Sequence, residues 1–231
     1  VLTWAGWNRS LDILVTDANV IGVDGETLAS VPTISLGLSA LSLLRGRIEP
    51  TSIELLSPEI HLVRNVKGEL EFAFGSDSED QGDAVNNLIA DFLSAPGTDH
   101  ALGQLRRISI LSASLDVDDA MLGLSWSTPA ADLIFDLYDD HINGELLADI
   151  EVADIAMRIV ATTEYDRASQ KTHTNVEFGK IVPSKLAEIF PRLEALSGFN
   201  IPISGGVEFT LGPDGTLTDS FLFDLTGGAG S

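Results

Sequence analysis

The chain has 231 residues, 44% of them apolar and 21% charged, a composition that excludes wholesale disorder. Thirteen Lys and Arg against 35 Asp and Glu leave a net charge of −22. Such a surface repels phosphate backbones and anionic headgroups, which excludes sequence-blind nucleic-acid binding. Cysteine is absent, which excludes disulfides, Cys-ligated metals and thiol nucleophiles.

The length fits one large domain or two small units sharing a core. No apolar run approaches the roughly 20 residues of a spanning helix. The best, Ile34 to Leu44, carries Ser35, Gly37, Ser39 and Ser42. The chain has no initiator Met and no basic segment ahead of an apolar one. It therefore reads as a mature or excised segment, with any signal or anchor helix outside it.

In chain order, the first strong pattern is Leu11 to Val20, where the apolar set runs 11, 13, 15 and then 18, 20. A one-residue slip flips every later side chain, so the spacing predicts a bulge or sharp bend. Ala40 to Leu44 has the length of one helical turn. Val66-Lys67-Gly68 separates two further strand-like runs.

An acidic stretch, Gly75 to Gly82, reads as a linker. From Asp83 to Ser94, Val85, Leu88, Ile89, Phe92 and Leu93 form a 3.6-residue stripe. Asp83 is the expected N-cap and Pro96-Gly97 the stop. The domain reading is thus 1–75 as a first β unit, 76–100 as linker and amphipathic helix, and 101–231 as a second, continuous β unit.

The second unit opens with another slip, 108, 110 and then 111, 113, 115, 117. Its similarity to the first slip suggests a weak internal repeat. Period-two alternation follows in Leu122, Leu124 and Trp126; in Leu133, Phe135 and Leu137; and in Leu146, Ala148, Ile150 and Val152. It continues in Ile155, Met157, Ile159 and Ala161, then Val207, Phe209 and Leu211, then Phe221, Phe223 and Leu225. Asp139-Asp140-His141, Asn143-Gly144 and Gly212-Pro213-Asp214-Gly215 read as turns. Ser184 to Leu196 is helical in pattern, but Pro191 predicts a kink or two short helices. Ten or more short strands at this spacing predict a mainly β, mostly antiparallel protein with two or three short helices.

No catalytic constellation assembles. His61, His100, His141 and His173 lack the i, i+4 spacing of a metal pair. Asp116, Asp118 and Asp119 resemble half a calcium loop without its Gly and distant Glu, so a charged strand end is the simpler reading. Asn8-Arg9-Ser10 matches a common glycosylation pattern. The pattern leaves two architectures open: a closed sandwich, or an open curved sheet with an uncovered apolar face that would bind a ligand or partner. In either case the inward set is Leu122, Leu124, Trp126, Leu133, Phe135, Leu137, Ile150, Val152, Met157, Ile159, Phe209, Leu211, Phe221 and Phe223. The outward set includes Asp132, Asp136, Arg158, Glu208, Thr210 and Asp224.

The order of segments resembles a known family. Leu11 to Val20, Asp24-Gly25 and Leu28 to Leu36 look like the opening of AsmA-like proteins. The step Leu43-Leu44-Arg45-Gly46-Arg47-Ile48, followed by Ile53 to Ser57, Pro58 and Glu59 to Arg64, is the most specific part. Later stretches are similar to the YhdP-type branch: Tyr165-Asp166, Phe178 to Ala187, Phe190 to Leu193 and Ile201 to Val207. The resemblance spans about residues 10 to 225. It implies a taco-like β groove in a non-enzymatic bridge that carries phospholipid through the periplasm from inner to outer membrane. The inward set would then touch acyl chains. The implied partners are phospholipid, an inner-membrane anchor helix outside this segment and further β repeats; no cofactor, metal or nucleic acid is expected. The alternative is a closed β-sandwich serving as a structural or protein-interaction module of the cell envelope.

Overall fold

A computed structural model describes residues 2–3, 11–21, 27–64, 70–73, 103–120, 123–152, 155–189, 191–213, 216–218 and 221–228. Their thirteen strands form one open, curved sheet. The strands are β1 (Leu2–Thr3), β2 (Leu11–Ile21), β3 (Thr27–Leu38), β4 (Pro50–Leu56), β5 (Glu59–Arg64) and β6 (Leu70–Ala73). They continue with β7 (Arg107–Asp119), β8 (Leu124–Leu137), β9 (His141–Val152), β10 (Ile155–Asp166), β11 (Lys171–Ile181), β12 (Ile203–Leu211) and β13 (Leu222–Gly227). The main path is β1-β2-β3-β4-β7-β8-β9-β10-β11-β12-β13. Neighbours are antiparallel except where β4 and β5 both run parallel to β7. The long excursion from β5 to β7 supplies the crossover that parallel pairing requires.

A line of breaks crosses the middle of this sheet. Ser57 and Pro58 separate β4 from β5, with Ser57 at φ 51°. In β7, Ser112 lies at φ 53° and the pairing to β8 shifts between Ile110 and Leu115. This is the bulge predicted from the apolar slip at 110 and 111. In β8, the pairing to β9 shifts between Ser127 and Ala131, around Pro129, which has no amide to give a ladder. The breaks are tied across strands: Ser57 N–H donates to Leu111 O (2.8 Å) and Ser114 N–H to Pro58 O (3.0 Å). The Ser112 N–H donates to an Asp132 carboxylate oxygen (2.7 Å). Bulges bend a strand and raise its twist, so aligned breaks turn the sheet as a unit.

Three sequence expectations differ here. The strand from Leu11 keeps its register through Thr16↔Thr33 and Ala18↔Val31; its irregularity lies at Val20/Ile21 instead. The stretches around Trp126 and Leu133 are one strand, β8, rather than two. Asn143-Gly144 lies inside β9, and the turn is Tyr138–Asp140, closed by Tyr138 N–H on His141 O (2.9 Å).

The helices among the described residues are short. They are α1 (Ala40–Leu44), α2 (Pro183–Ile189) and a 3₁₀ turn at Pro191–Leu196. The break between the last two is the interruption predicted at Pro191. They connect β11 to β12 and are anchored by Ser184, whose hydroxyl donates to Asn200 Oδ1 (2.6 Å). The stripe from Asp83 to Ser94, Asn8 and the Val66-Lys67-Gly68 turn lie outside the described residues. Buried apolar side chains, among them Ala113, Val117, Ala131, Leu137, Ile142 and Ala148, gather where β7, β8 and β9 meet.

Candidate functional site, an apolar sheet face

Residues paired across adjacent strands share a face of the sheet, so the register assigns faces directly. One transverse row runs Val15, Ile34, Leu55, Ile110, Leu133, Leu146, Ala161, Val176, Val207 and Phe223. Every member of the row, across ten strands, is apolar. The adjoining row runs Ile13, Leu36, Ile53, Ile108, Phe135, Gly144, Thr163, Thr174 and Phe209. The corresponding row of the opposite face reads Leu14, Ser35, Glu54, Ser109, Ile134, Glu145, Thr162, Asn175, Glu208 and Leu222. The sheet is thus two-sided, one face almost wholly apolar and the other polar and acidic.

The register assigns a face to those residues of the predicted inward set that are described. Leu133 and Phe223 lie in the central row, and Phe135 and Phe209 beside it. Leu137 and Leu211 end a third row through Ile142, Tyr165 and Thr172. Ile159 lies in the row of Ala131, Ala148 and Phe178, and Met157 pairs with Ile150. Trp126 pairs with Val117 beyond the β8 break. Phe221 stacks on Phe209 with ring centres 6.3 Å apart and meets Phe223 edge-on at 4.2 Å. Leu122 lies outside the described residues; of Leu124 and Val152 only the backbone pairing, to Asp119 and Ile155, is described.

Sequence reasoning restricted the set to the later strands and missed its first half, Val15, Ile34, Leu55 and Ile110. The signal was present in the alternation of Ile34 with Leu36 and of Ile53 with Leu55. Most of the central row is half-buried: neither sealed in a core nor free in water. Among the described residues all strands belong to this one sheet, so no second sheet packs on the face.

The opposite face carries the charge. Arg158 donates through Nε and Nη2 to both oxygens of Asp149 (2.8 and 2.9 Å), and this hydrogen bonding holds the Asp149 carboxyl below its usual range. Arg107 pairs with Asp136 at 3.0 Å and His173 with Glu208 at 3.3 Å. At the β8–β9 turn the Asp140 carboxyl is likewise held low, chiefly by its hydrogen bond to His141. A hollow of about 500 Å³ opens mainly on this side of β11, β12 and β13, where Glu177, Glu208 and Asp224 line it. Its carboxylates make the hollow a poor site for an anion. Among the described residues no three His, Asp or Glu side chains converge as metal ligands.

Compared with known protein families, curated proteins and solved structures, the chain matches none.

Proposed function

We propose that this chain is a non-enzymatic segment of an envelope lipid-transfer protein. Its apolar face would form a groove that shields phospholipid acyl chains on their way between inner and outer membrane. The observation that carries the reading is the unbroken apolar row from Val15 to Phe223, with no second sheet over it among the described residues. Each acyl CH₂ taken from water is worth about 0.8 kcal/mol, so a dry path lowers the barrier to crossing an aqueous gap. Eleven strands lie on the main path. At about 4.8 Å per step they offer a trough of about 48 Å, enough for one or two lipids. Spanning an envelope would require further β units, and the reading places this one in the periplasm, tethered to the inner membrane.

The test is native mass spectrometry of protein purified from cells, with phospholipid expected to copurify. Met157→Asp, on the same face, is expected to lose that lipid while folding stability falls by only about 1 kcal/mol. A wild-type protein that is persistently bare, or a Met157→Asp variant that unfolds outright because the site is a sealed core, would sink the reading.

The open sheet does not fit the closed sandwich of the alternative reading. A protein-interaction role draws support from β13 instead, an edge strand exposed along its whole length.

A further inference from the structure

The turn between β3 and β4 inverts the usual logic of a short surface helix. Its serine, Ser42, is turned in. Ser39 caps α1, accepting from Ser42 N–H (3.2 Å), and the Ser39 and Ser42 hydroxyl oxygens lie 3.0 Å apart. The same Ser42 hydroxyl is hydrogen-bonded to Glu49, and Ser42 is only 8% exposed. Large apolar side chains are turned out: Leu41 is 59% exposed and Leu44 75%, with Ile48, just beyond the helix, at 76%. A short turn that buries serine and presents Leu41, Leu44 and Ile48 to water is using them for something other than its own core.

The turn is also stiff. Ser39 N–H donates to Glu49 O (3.1 Å), Gly46 N–H to Leu43 O (2.9 Å) and Arg47 N–H to Ser42 O (2.9 Å). Gly46 takes φ 74°, the left-handed value that closes the helix. The apolar group is therefore presented in a fixed arrangement, so little ordering is needed on contact.

The charge around it is opposite to that of the molecule. From Thr27 to Ile48 the sequence has no Asp or Glu, the longest such stretch in the chain; Arg45 and Arg47 against Glu49, which pairs with Arg47, leave the turn at +1. Glu49, just beyond, is turned in toward Ser42 and Arg47 Nε (3.3 Å), with its side chain 18% exposed. At physiological ionic strength a charge acts over about 8 Å, so what touches this turn meets its arginines rather than the net −22.

We propose that the turn from Ser39 to Ile48 is a docking surface for an anionic lipid bilayer. Leu41, Leu44 and Ile48 would enter the headgroup boundary while Arg45 and Arg47 meet lipid phosphates. Apolar residues flanked by arginines are the chemistry of interfacial anchoring. The proposal is independent of lipid carriage by the sheet face: carriage is read from copurifying lipid, docking from attachment to vesicles.

The experiment is flotation of the 231-residue chain with vesicles of phosphatidylcholine alone or mixed with phosphatidylglycerol. Wild type is expected to float with the mixed vesicles. Arg45→Glu with Arg47→Glu should weaken that binding at least about tenfold without changing the weak binding to phosphatidylcholine. Leu44→Ser with Ile48→Ser should weaken binding to both. These side chains are exposed, so both variants should keep the wild-type circular dichroism. Leu222→Ser, on exposed β13 and on the face opposite the apolar row, is the control and should float as wild type does. The proposal is overturned if wild type fails to float with the mixed vesicles or if the turn variants float equally well. It is also overturned if only the β13 control loses binding, which would make the sheet edge the contact.

Discussion

At the residue scale, one close fit on the apolar face is that of Phe135 against Gly144. The two are paired across β8 and β9, and a Cβ built on Gly144 would lie 2.6 Å from Thr163 Cγ2 and 3.0 Å from Phe135 Cε1. The glycine is there because the phenyl ring lies over it, an aromatic covering a gap in the strand. The dipeptide Asn143-Gly144 has the chemistry of a tight turn, and the sequence alone reads it so; nothing local reveals that a ring from the preceding strand fills the space. Gly144→Ala should therefore destabilise the fold by about 1–3 kcal/mol, since Thr163 is β-branched and cannot easily swing away. The combined Phe135→Leu, Gly144→Ala variant should recover part of the loss. Urea unfolding of the single and double variants checks this. A Gly144→Ala variant as stable as wild type, or a double variant showing simple additivity, would mean that the ring and the glycine are not coupled.

At the scale of elements, the two edges of the sheet are managed differently. The β1 edge ends in a strand of two residues, Leu2–Thr3, short enough to offer little template. The β13 edge runs six residues, all exposed, with Leu222 at 60% and Phe223 at 57%. Asp224 is the only charge along it, and among the described residues β13 pairs with β12 alone. Such an edge invites a further strand, and in purified protein the strand at hand is another β13. We expect concentration-dependent self-association in sedimentation velocity, with Leu222→Lys raising the onset several-fold, because lysines brought together across a paired edge repel. Identical sedimentation of the two proteins over the range where wild type associates would rule the edge out. The strands themselves, and the bulge near Ser112, were legible because a one-residue slip in an apolar pattern has few other readings. The supposed slip after Val15 was not a slip: the apolar set does change parity, at Ala18 and Val20, yet the pairing with β3 holds one register through Val20↔Ala29, so here the pattern and the pairing part company. The break at Pro129 left a signal too, the change of parity between Trp126 and Ala131, but it was hidden by reading the two halves of β8 as separate strands.

For the whole molecule, alternation revealed that one face would be apolar, and much of the candidate site with it. It could not reveal whether that face is covered, because coverage depends on pairings between strands far apart in sequence, such as β4 with β7. Curvature without closure leaves two unlike surfaces on a thin sheet, and the acidic one carries a physical consequence. Glu177 and Asp224 flank Gly206 across β11, β12 and β13, with Glu208 lining the same hollow, and the chain's net charge is −22. Folding gathers these carboxylates onto one face and sets them against one another, whereas an unfolded chain spreads them apart. Salt shortens the reach of the repulsion, from about 30 Å at 0.01 M to about 8 Å at 0.15 M. The melting temperature should therefore rise with sodium chloride over that range, by about 2–4 °C for each kcal/mol of repulsion screened in a domain of this size. Salt also strengthens apolar burial, so a rise alone does not identify the cause. Glu177→Gln combined with Asp224→Asn separates the two, since it removes charge without altering the apolar face. That variant should melt higher than wild type at low salt and respond less steeply to added salt, as scanning calorimetry would show. If its salt response matches that of wild type, the rise comes from apolar burial and the crowding of carboxylates on this face is not what limits the fold.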